Sequence, residues 1–530
     1  MDVGWPPGRS ATIAGEATIS TSLPRATLAG LDVLRQGGNA IDSAVAAAAV
    51  LAVVEPAMSG IGGDCFAIFT LRDGSIRAFN GSGRAPAAAD PGLLAERGVR
   101  AIGPRSAHAV TVPGAVAAWE RIVEDHGTRP MSELLQPAIC AARDGFVVTP
   151  RVAFDWQRHA PTLRASPEAA SVFLPRGRPP RAGERFHNRE LAACLSRIAD
   201  AGSRALYEGP VAEMIVSFLR DRGGLHTLDD FAGCDGEYVQ PISTSYRGHD
   251  VHECPPNGGG LAALTMLNVL HGFELAALDP GGPERLHIEV EASRLALADR
   301  DAYVCDPRHG SVPVDRLLSA EHTDHLRSRI DPEHALELPD QLAALPRHED
   351  TTYVCAVDRD RNAVSLISSV FAAFGSGLVP PGTGTVLQNR GSGFTTDPAH
   401  PNCIAGGKRP LHTIIPALVT RGGRTVAVFG VVGGNYQPVG QGHVLTNIVD
   451  YGMDVQAAVD FPRAHHDEGR VVVERSYGTR VLAGLRRYGH RTTVATEPIG
   501  GAQAIWIDDE RGCLLAGSDR RKDGLALGWA

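Results

Sequence analysis

The chain has 530 residues, of which 43% are hydrophobic and 21% are charged, so it can bury a large core and shows no sign of disorder. Its formal net charge of -9 and its pI near 6.1 argue against a nucleic-acid partner, because such proteins usually carry a basic patch or stripe. The nine cysteines are scattered without close pairs, which predicts reduced thiols.

The N-terminal stretch lacks the features of a targeting segment. Pro, Gly, Asp and Glu occur within the first twenty residues, where the apolar region of a secretory signal would lie, and we therefore expect a cytoplasmic protein. The most apolar run, Ala44 to Val54, is too short to cross a bilayer and is followed by Glu55 and Pro56. No membrane partner is predicted.

Residues 24–55 contain two helical patterns, separated by Gly37-Gly38-Asn39. The second pattern is so rich in Ala that most of its faces are apolar, which predicts a helix packed between other layers. A short apolar strand, a turn at Asp73-Gly74 and a returning strand follow, so a sheet should lie close to this helix.

The middle of the chain, from about 110 to 340, is predicted to be mainly helical. Residues 330–350 are polar and contain Pro, as expected of an exposed linker. Directly after them the hydrophobic period changes to two, which predicts a strand, a turn and a second strand, and the remainder of the chain is rich in β-patterns.

Several common catalytic signatures are absent from the sequence: a Gly-x-Ser-x-Gly elbow, a phosphate-binding loop, a complete Gly-x-Gly-x-x-Gly and a His-Glu-x-x-His helix. The glycines at 60, 62 and 63 predict a tight turn, because Cys65 stands where a dinucleotide loop would have its third Gly. His465 and His466 are adjacent and would point to opposite faces of a strand, so together with Asp467 they do not predict a metal site. We predict neither a metal nor a cofactor.

Thr351 stands at the first position of a predicted strand, directly after the linker. Scission of the Asp350–Thr351 bond would give this residue a free α-amine beside its own hydroxyl. An α-amine has a pKa near 8, so it can accept the hydroxyl proton at neutral pH and make the alcohol a competent nucleophile. A Thr at a strand start is nevertheless ordinary, and the pattern alone does not establish this chemistry.

Several blocks follow one another along the chain: LDVLRQGGNAIDSAVAAAAV, GGLHTLDDFA, ADRDAYVCDP, DTTYVCAVDRDRNAVS, GGKRPLHTIIPALV and DYGMDVQAAVDFPRAHH. Together, and in this order, they resemble the γ-glutamyltranspeptidase family. The resemblance implies an α/β (α+β) protein, a four-layer αββα sandwich of the N-terminal-nucleophile hydrolase type. It also implies self-cleavage between Asp350 and Thr351 into a large segment, 1–350, and a small segment, 351–530, which stay associated as one interwoven unit.

The resemblance also implies the roles of individual residues. The nucleophile falls on Thr351, and the hydroxyl that hydrogen-bonds it falls on Ser369. The glycines whose amides hold the oxyanion fall on Gly433 and Gly434. The Ser-Ser pair of the transpeptidases is replaced by His412 and Thr413, which are assigned to substrate binding.

The chain departs from the glutamyl enzymes where those enzymes bind the glutamyl group. The arginine position is Ser82, an asparagine has become Phe371, the aspartate that holds the amine has become Gly393, and a glutamine has become Arg390. An ammonium without a partner in a buried pocket costs several kcal/mol, so γ-glutamyl substrates should be rejected.

A substrate with a carboxylate and no ammonium fits this substitution pattern better. The block FGSGLVPPGTGTVLQNRGSGF is more similar to the oxamate amidohydrolase branch of the family, and Arg84 and Arg390 are candidates to hold a carboxylate, although either could instead be a surface residue. The tract from Phe394 to Lys408 is shorter than the lid-bearing loop of the transpeptidases, which predicts a less covered site and hydrolysis.

The predicted activity is hydrolysis of a small amide through a Thr351 acyl-enzyme. Oxamate-like amides are the candidate substrates. The alternatives are a γ-glutamyl hydrolase or transferase acting on glutathione or γ-glutamyl amides, acylase action on a β-lactam side chain, and an inactive binding protein with the same fold. A homodimer of the processed pair is compatible with the sequence. Tyr353, where many relatives have His, has no assigned role.

Overall fold

The computed structural model describes residues 8–337 and 351–529. Its strands are β1 (Thr12–Ala14), β2 (Ala17–Thr21), β3 (Asp64–Thr70), β4 (Ile76–Gly81), β5 (Phe146–Val147), β6 (Arg185–Phe186), β7 (Glu237–Val239), β8 (Ile242–Tyr246), β9 (His249–Glu253), β10 (Thr352–Val357), β11 (Ala363–Ser369), β12 (Ala417–Arg421), β13 (Arg424–Val432), β14 (Ala464–Asp467), β15 (Arg470–Val473), β16 (Thr492–Val494), β17 (Gly501–Asp508), β18 (Cys513–Ser518) and β19 (Leu525–Trp529).

The α-helices connect and cover these strands. They are α1 (Pro24–Arg35), α2 (Ala40–Val54), α3 (Pro91–Glu96), α4 (Ala115–His126), α5 (Met131–Leu134), α6 (Gln136–Asp144), α7 (Pro150–Arg164), α8 (Pro167–Phe173), α9 (Arg189–Ala201), α10 (Arg204–Tyr207), α11 (Pro210–Arg220), α12 (Leu228–Ala232), α13 (Gly260–Leu270), α14 (Pro283–Tyr303), α15 (Val314–Leu317), α16 (Ala320–Ser328), α17 (Tyr436–Val449), α18 (Val455–Asp460) and α19 (Gly478–Arg487).

Two seven-stranded sheets form the centre of the molecule. One has the order β1-β18-β17-β13-β12-β9-β8 and is called sheet A; the other has the order β19-β2-β10-β11-β3-β4-β7 and is called sheet B. The named pairs within both sheets are antiparallel. The sheets pack face to face through an apolar layer that includes Phe66, Tyr353 and Ile505. Each sheet therefore contains strands from both sides of residue 351.

Helices cover the outer face of each sheet. Helices α1, α2 and α4 pack on sheet B, and helices α13, α17 and α18 pack on sheet A. The order of layers is helix, sheet, sheet, helix, so the predicted αββα sandwich is confirmed. No helix of the described residues is long and apolar enough to cross a membrane.

The start of α2 shows why the early prediction succeeded. The Asn39 side chain accepts hydrogen bonds from the backbone N–H groups of Ile41 and Asp42, and the Asp42 carboxylate accepts one from the backbone N–H of Asn39, which completes a capping box. Each residue of α2 is buried, as predicted for a helix with apolar side chains on most faces. The turn at Asp73-Gly74 joins β3 to β4, with Gly74 at a φ of 80°.

The mainly helical prediction for residues 110–340 was incomplete. Helices dominate this region, but β8 and β9 form one edge of sheet A and β7 forms one edge of sheet B. The segment ISTSY of β8 alternates between partly exposed and exposed positions before the buried Tyr246, and HDVHE of β9 alternates between buried and partly exposed positions. Both strands are short and polar, and β8 is the edge strand. The nine cysteines are unpaired.

Candidate active site

Three polar residues lie side by side at one end of sheet B. Thr351 directly precedes β10, Ser369 ends β11 and Asp64 begins β3. Thr352 pairs with Ser368, so the register carried one residue further places Thr351 opposite Ser369. Ser369 in turn pairs with Asp64. The structure therefore brings the predicted nucleophile and its predicted hydroxyl partner together on neighbouring strands.

Gln437 contacts the hydroxyl of Thr351. Its Nε2 lies 3.5 Å from Thr351 Oγ1, while its Oε1 accepts a hydrogen bond from the backbone N–H of Ile415 at 3.2 Å. Gln437 is the second residue of α17 and is fully buried. The sequence analysis did not single it out, although its position three residues after the Gly-Gly pair, at a helix start, was a usable signal.

Gly433 and Gly434 form the turn between β13 and α17. Their φ values are 129° and 59°, in the region that favours Gly. A Cβ on Gly433 would also come within 3.0 Å of the Cα of Gly500. The carbonyls of the pair accept hydrogen bonds from the backbone N–H groups of Tyr436 and Gln437, so the turn is tied to the helix turn that contacts Thr351.

Arg390 is a buried cation beside Ser369. Its Nη1 donates to Thr413 Oγ1 at 2.9 Å and its Nη2 donates to Ser369 Oγ at 3.4 Å. Its guanidinium carbon lies 4.1 Å from the ring centre of Phe371. Burial lowers the pKa of Arg390 to about 9, which still leaves it charged at neutral pH. No carboxylate of the described residues forms an ion pair with it, and its Nε has no hydrogen-bond partner there.

His412 and Asp64 form a buried pair behind these residues. His412 Nε2 lies 3.0 Å from Asp64 Oδ2, and both side chains are fully buried. Burial, followed by the positive charge of Arg390, lowers the pKa of His412 to about 4. His412 is therefore neutral at pH 7, with the Nε2 proton donated to the carboxylate.

Asp64 also holds the surrounding loops. Its Oδ1 accepts hydrogen bonds from the backbone N–H groups of Gly83 and Gly114 and from Nε2 of Gln388, at 2.7 to 3.1 Å. The sequence analysis missed this residue. An acid at the start of a buried strand, in GGDCFAIF, was its signal, because a buried carboxylate requires partners.

The second candidate arginine has other partners. Arg84 lies 3.5 Å from Asp306 and 3.8 Å from Glu237, and it donates to the carbonyl of Gly407. Its charge is thus already compensated by two carboxylates. The structure distinguishes the two candidates, since Arg390 contacts Ser369 and forms no ion pair with a carboxylate of residues 8–337 or 351–529.

The candidate nucleophile and its partners are buried in this structure. Thr351, Ser369 and Arg390 are each exposed by 1% or less. The expectation of a site less covered than that of the transpeptidases stays a prediction. Asp350, the other residue of the predicted cleavage bond, lies outside the described residues.

Tyr353 packs between the sheets. Its hydroxyl lies 2.7 Å from Ser365 Oγ, and a Cβ on Gly430 would come within 2.3 Å of its ring. It belongs to the apolar layer between the sheets. Tyr353, to which the sequence analysis assigned no role, is therefore a residue of the core.

Among the described residues, one group of side chains has the geometry to hold a metal ion, and it does not include His465, His466 or Asp467. The candidate ligand atoms of His287, Glu291 and His490 lie within 4.8 Å of one another, and all three residues are buried. Hydrogen bonds already engage them: His287 Nδ1 lies 2.8 Å from His490 Nε2, and Arg294 donates to Glu291. These contacts account for the group without an ion.

Two sheets between helical layers, with Thr351 and Ser369 at neighbouring strand ends, define an N-terminal-nucleophile hydrolase fold. A profile of the family described as Gamma-glutamyltranspeptidase matches residues 26–529. The chain belongs to this family and is an enzyme of the hydrolase class within it.

Relatives of the chain cover nearly its whole length. It is 37% identical over 514 residues to the Glutathione hydrolase-like YwrD proenzyme of Bacillus subtilis (strain 168), covering 95% of this chain and 96% of that one. It is 34% identical over 521 residues to the Oxamate amidohydrolase proenzyme of Klebsiella pneumoniae, covering 95% and 97%. The crystal structure of cephalosporin acylase from Bacillus halodurans superposes with a TM-score of 0.92, 37% identity and coverage of 100% and 99%.

Proposed function

We propose that the chain is a proenzyme that cleaves itself before Thr351 and then hydrolyses a small amide whose acyl group carries a carboxylate. The proenzyme names of the relatives support the cleavage, and the pairing of Thr351 with Ser369 supports the nucleophile. Scission before Thr351 gives this residue the free α-amine that the reaction needs. The two segments remain associated because each sheet contains strands from both of them.

The reaction follows from the new chain terminus. The free amine of Thr351 accepts the proton from Oγ1 as Oγ1 attacks the amide carbonyl. The backbone N–H groups of the Gly433-Gly434 turn hold the resulting oxyanion. Collapse breaks the C–N bond, and the leaving amine takes the proton from the Thr351 ammonium. Water then hydrolyses the Thr351 ester, releases the acid and restores the hydroxyl.

We assign the substrate class from the buried charge of Arg390. A guanidinium buried beside Ser369, with no carboxylate of the described chain in an ion pair with it, is a costly arrangement unless an anionic ligand completes it. A carboxylate bound to the planar guanidinium would satisfy the charge and fix the adjacent carbonyl near the nucleophile. Oxamate has this arrangement of a carboxylate beside a primary amide.

The same site is unsuited to a free ammonium group. Asp64, the acid at this end of sheet B, already accepts hydrogen bonds from four donors. Phe371 and Gly393 occupy the positions where the resemblance would require polar partners for a glutamyl group. An α-ammonium would be left desolvated beside the Arg390 cation, and we therefore disfavour γ-glutamyl substrates.

Acylase action on a cephalosporin is a second candidate. It is favoured by the TM-score of 0.92 with the cephalosporin acylase and by the 32% identity to the Acylase ACY 1 proenzyme of Pseudomonas sp. (strain V22). A carboxyl-bearing side chain on such a substrate would use Arg390 in the same way. The two candidates differ in the size of the acyl group left on Thr351.

Intact-mass analysis during turnover tests both candidates. The wild-type enzyme is incubated with oxamate, a neutral small amide, a γ-glutamyl amide and a cephalosporin, and the adduct mass on the Thr351 chain identifies the acyl group. We expect two chains at rest, with oxamate favoured over the neutral amide. Arg390→Gln should abolish that preference, a loss of about 10²-fold in kcat/KM for the anionic amide.

Two comparison variants make this result specific. Arg84→Gln changes the arginine that is already paired, and the preference for the anionic amide should survive. Thr351→Ala should remain a single chain and form no adduct. Equal turnover of anionic and neutral amides by the wild-type enzyme would reject the carboxylate site, and an uncut, active wild-type chain would reject the maturation step.

A further inference from the structure

Gln437 is held so that its amide N–H groups face the nucleophile. The oxygen and nitrogen of a glutamine amide are distinguished by their partners. The backbone N–H of Ile415 can only donate, so the atom 3.2 Å from it is Oε1. The remaining end, Nε2, then faces Thr351 Oγ1 at 3.5 Å.

A second glutamine on the same helix face holds the other side of this peptide. Gln441 Nε2 donates to the carbonyl of Ile415 at 2.8 Å. Gln437 and Gln441 are four residues apart on α17, so their side chains lie one above the other. The main chain at Ile415 is therefore held through both its N–H and its C=O by α17. This frame fixes Gln437 independently of Ser369 and Arg390.

We propose that Gln437 is a catalytic residue that donates a hydrogen bond to Thr351 Oγ1 during acylation, an assignment that rests on the proposed function. As the amine takes the hydroxyl proton, negative charge grows on Oγ1, and a donor already aimed at that atom strengthens its interaction. This donor is distinct from the amine, which is the base, and from the glycine turn, which holds the carbonyl oxygen.

The hydrogen bond is compatible with proton transfer to the amine. An amide N–H can only donate, so Gln437 Nε2 does not compete with the amine for the proton of Oγ1. Gln437 gains and loses no atoms, so the reaction remains balanced between hydroxyl, amine and substrate.

Pre-steady-state acylation of processed enzyme tests the proposal. Intact mass first gives the fraction of each variant that has been cleaved, and the rate of Thr351 adduct formation is then expressed per cleaved molecule. Gln437→Met keeps the length of the side chain and removes the donor. We expect it to slow acylation by about 10-fold to 100-fold with little change in KM.

Gln437→Glu tests the contact with Thr351 through the pH profile of acylation. It places an acid beside the Thr351 amine, and its carboxylate should raise the pKa of that amine by about one unit. The acid limb of the pH profile for acylation should move to higher pH by the same amount. If Gln437→Met is not recovered folded, two other results test the proposal. One is this shift of the pH profile, and the other is slower acylation by Gln437→Asn, whose amide is one methylene too short to reach Thr351 Oγ1.

Gln456→Met is the matched control. Gln456 is a buried glutamine of α18 whose Nε2 donates to the carbonyl of Ser518, and it has no contact with Thr351. It should acylate at the wild-type rate per cleaved molecule. The proposal is overturned if Gln437→Met acylates as fast as wild type, or if it and Gln456→Met slow equally. Absence of a Thr351 adduct in the wild-type enzyme would instead reject the proposed function.

Discussion

Glu253 places a carboxyl group in the interior without an ion-pair partner. It ends β9 and is fully buried, and neither carboxyl oxygen has a hydrogen-bond partner among the described residues. Burial raises the pKa of Glu253 well above its ordinary value, and the Gln441 amide offsets only part of this. The raised pKa favours the neutral form, which makes an acid easier to tolerate in a packed layer.

Glu253→Gln should change how the free energy of unfolding depends on pH. Because the folded pKa is raised, the stability from this group is present below the unfolded pKa near 4.5 and is lost as pH rises toward the folded pKa. Glutamine has a similar shape and no proton to lose. Chemical denaturation from pH 5 to pH 8 should show the variant gaining stability relative to wild type. A constant difference across this range would contradict a raised pKa for Glu253.

At the scale of elements, Gly433 and Gly434 connect the end of β13 to the start of α17. Gly433→Ala would force a side chain into a φ of 129° and within 3.0 Å of Gly500. We expect the displaced amide to lower kcat of the cleaved enzyme by about 10²-fold to 10³-fold, the usual effect of losing one oxyanion donor.

Gly422→Ala separates strain from catalysis. Gly422 lies in the turn between β12 and β13 with a φ of 58°, and a Cβ there would meet no atom within 4 Å. This variant should lose stability by about 1 kcal/mol and keep the wild-type kcat. Similar losses of kcat in the two variants, measured per cleaved molecule, would show that the Gly433 effect is strain alone.

Local signals explain what could be predicted. The start of α2 was visible because Asn39 caps it from the adjacent residue, and the hairpin of β10 and β11 was visible in its period of two. Asp64 and His412 form a pair across 348 residues, and no local pattern records such a partner. The contact between Gln437 and Thr351 was hidden for the same reason, because packing between sheets A and B brings their ends together.

At the scale of the whole molecule, sheet B is built from both sides of the proposed cleavage point. Strand β2, from before Thr351, pairs with β10 and with β19, both from after it. Separating the segments would therefore break the main-chain hydrogen bonds of central strands. A covalent break at residue 351 leaves this network intact.

Cleaved protein should therefore behave as one particle. Native mass spectrometry and gel filtration of fully processed enzyme should give a species near the 55.9 kDa of the whole chain, or a multiple of it. The two chains should separate only under conditions that unfold the protein. Recovery of free segments in native buffer would contradict the shared sheets.

The position of β10 has a consequence for biosynthesis. The strand that follows the proposed new amino terminus pairs with β2, and β2 pairs with β19. We therefore expect maturation to require synthesis of the chain through β19. A polypeptide released before residues 525–529 are made would lack the outermost strand of that sheet and should accumulate as unprocessed, inert precursor.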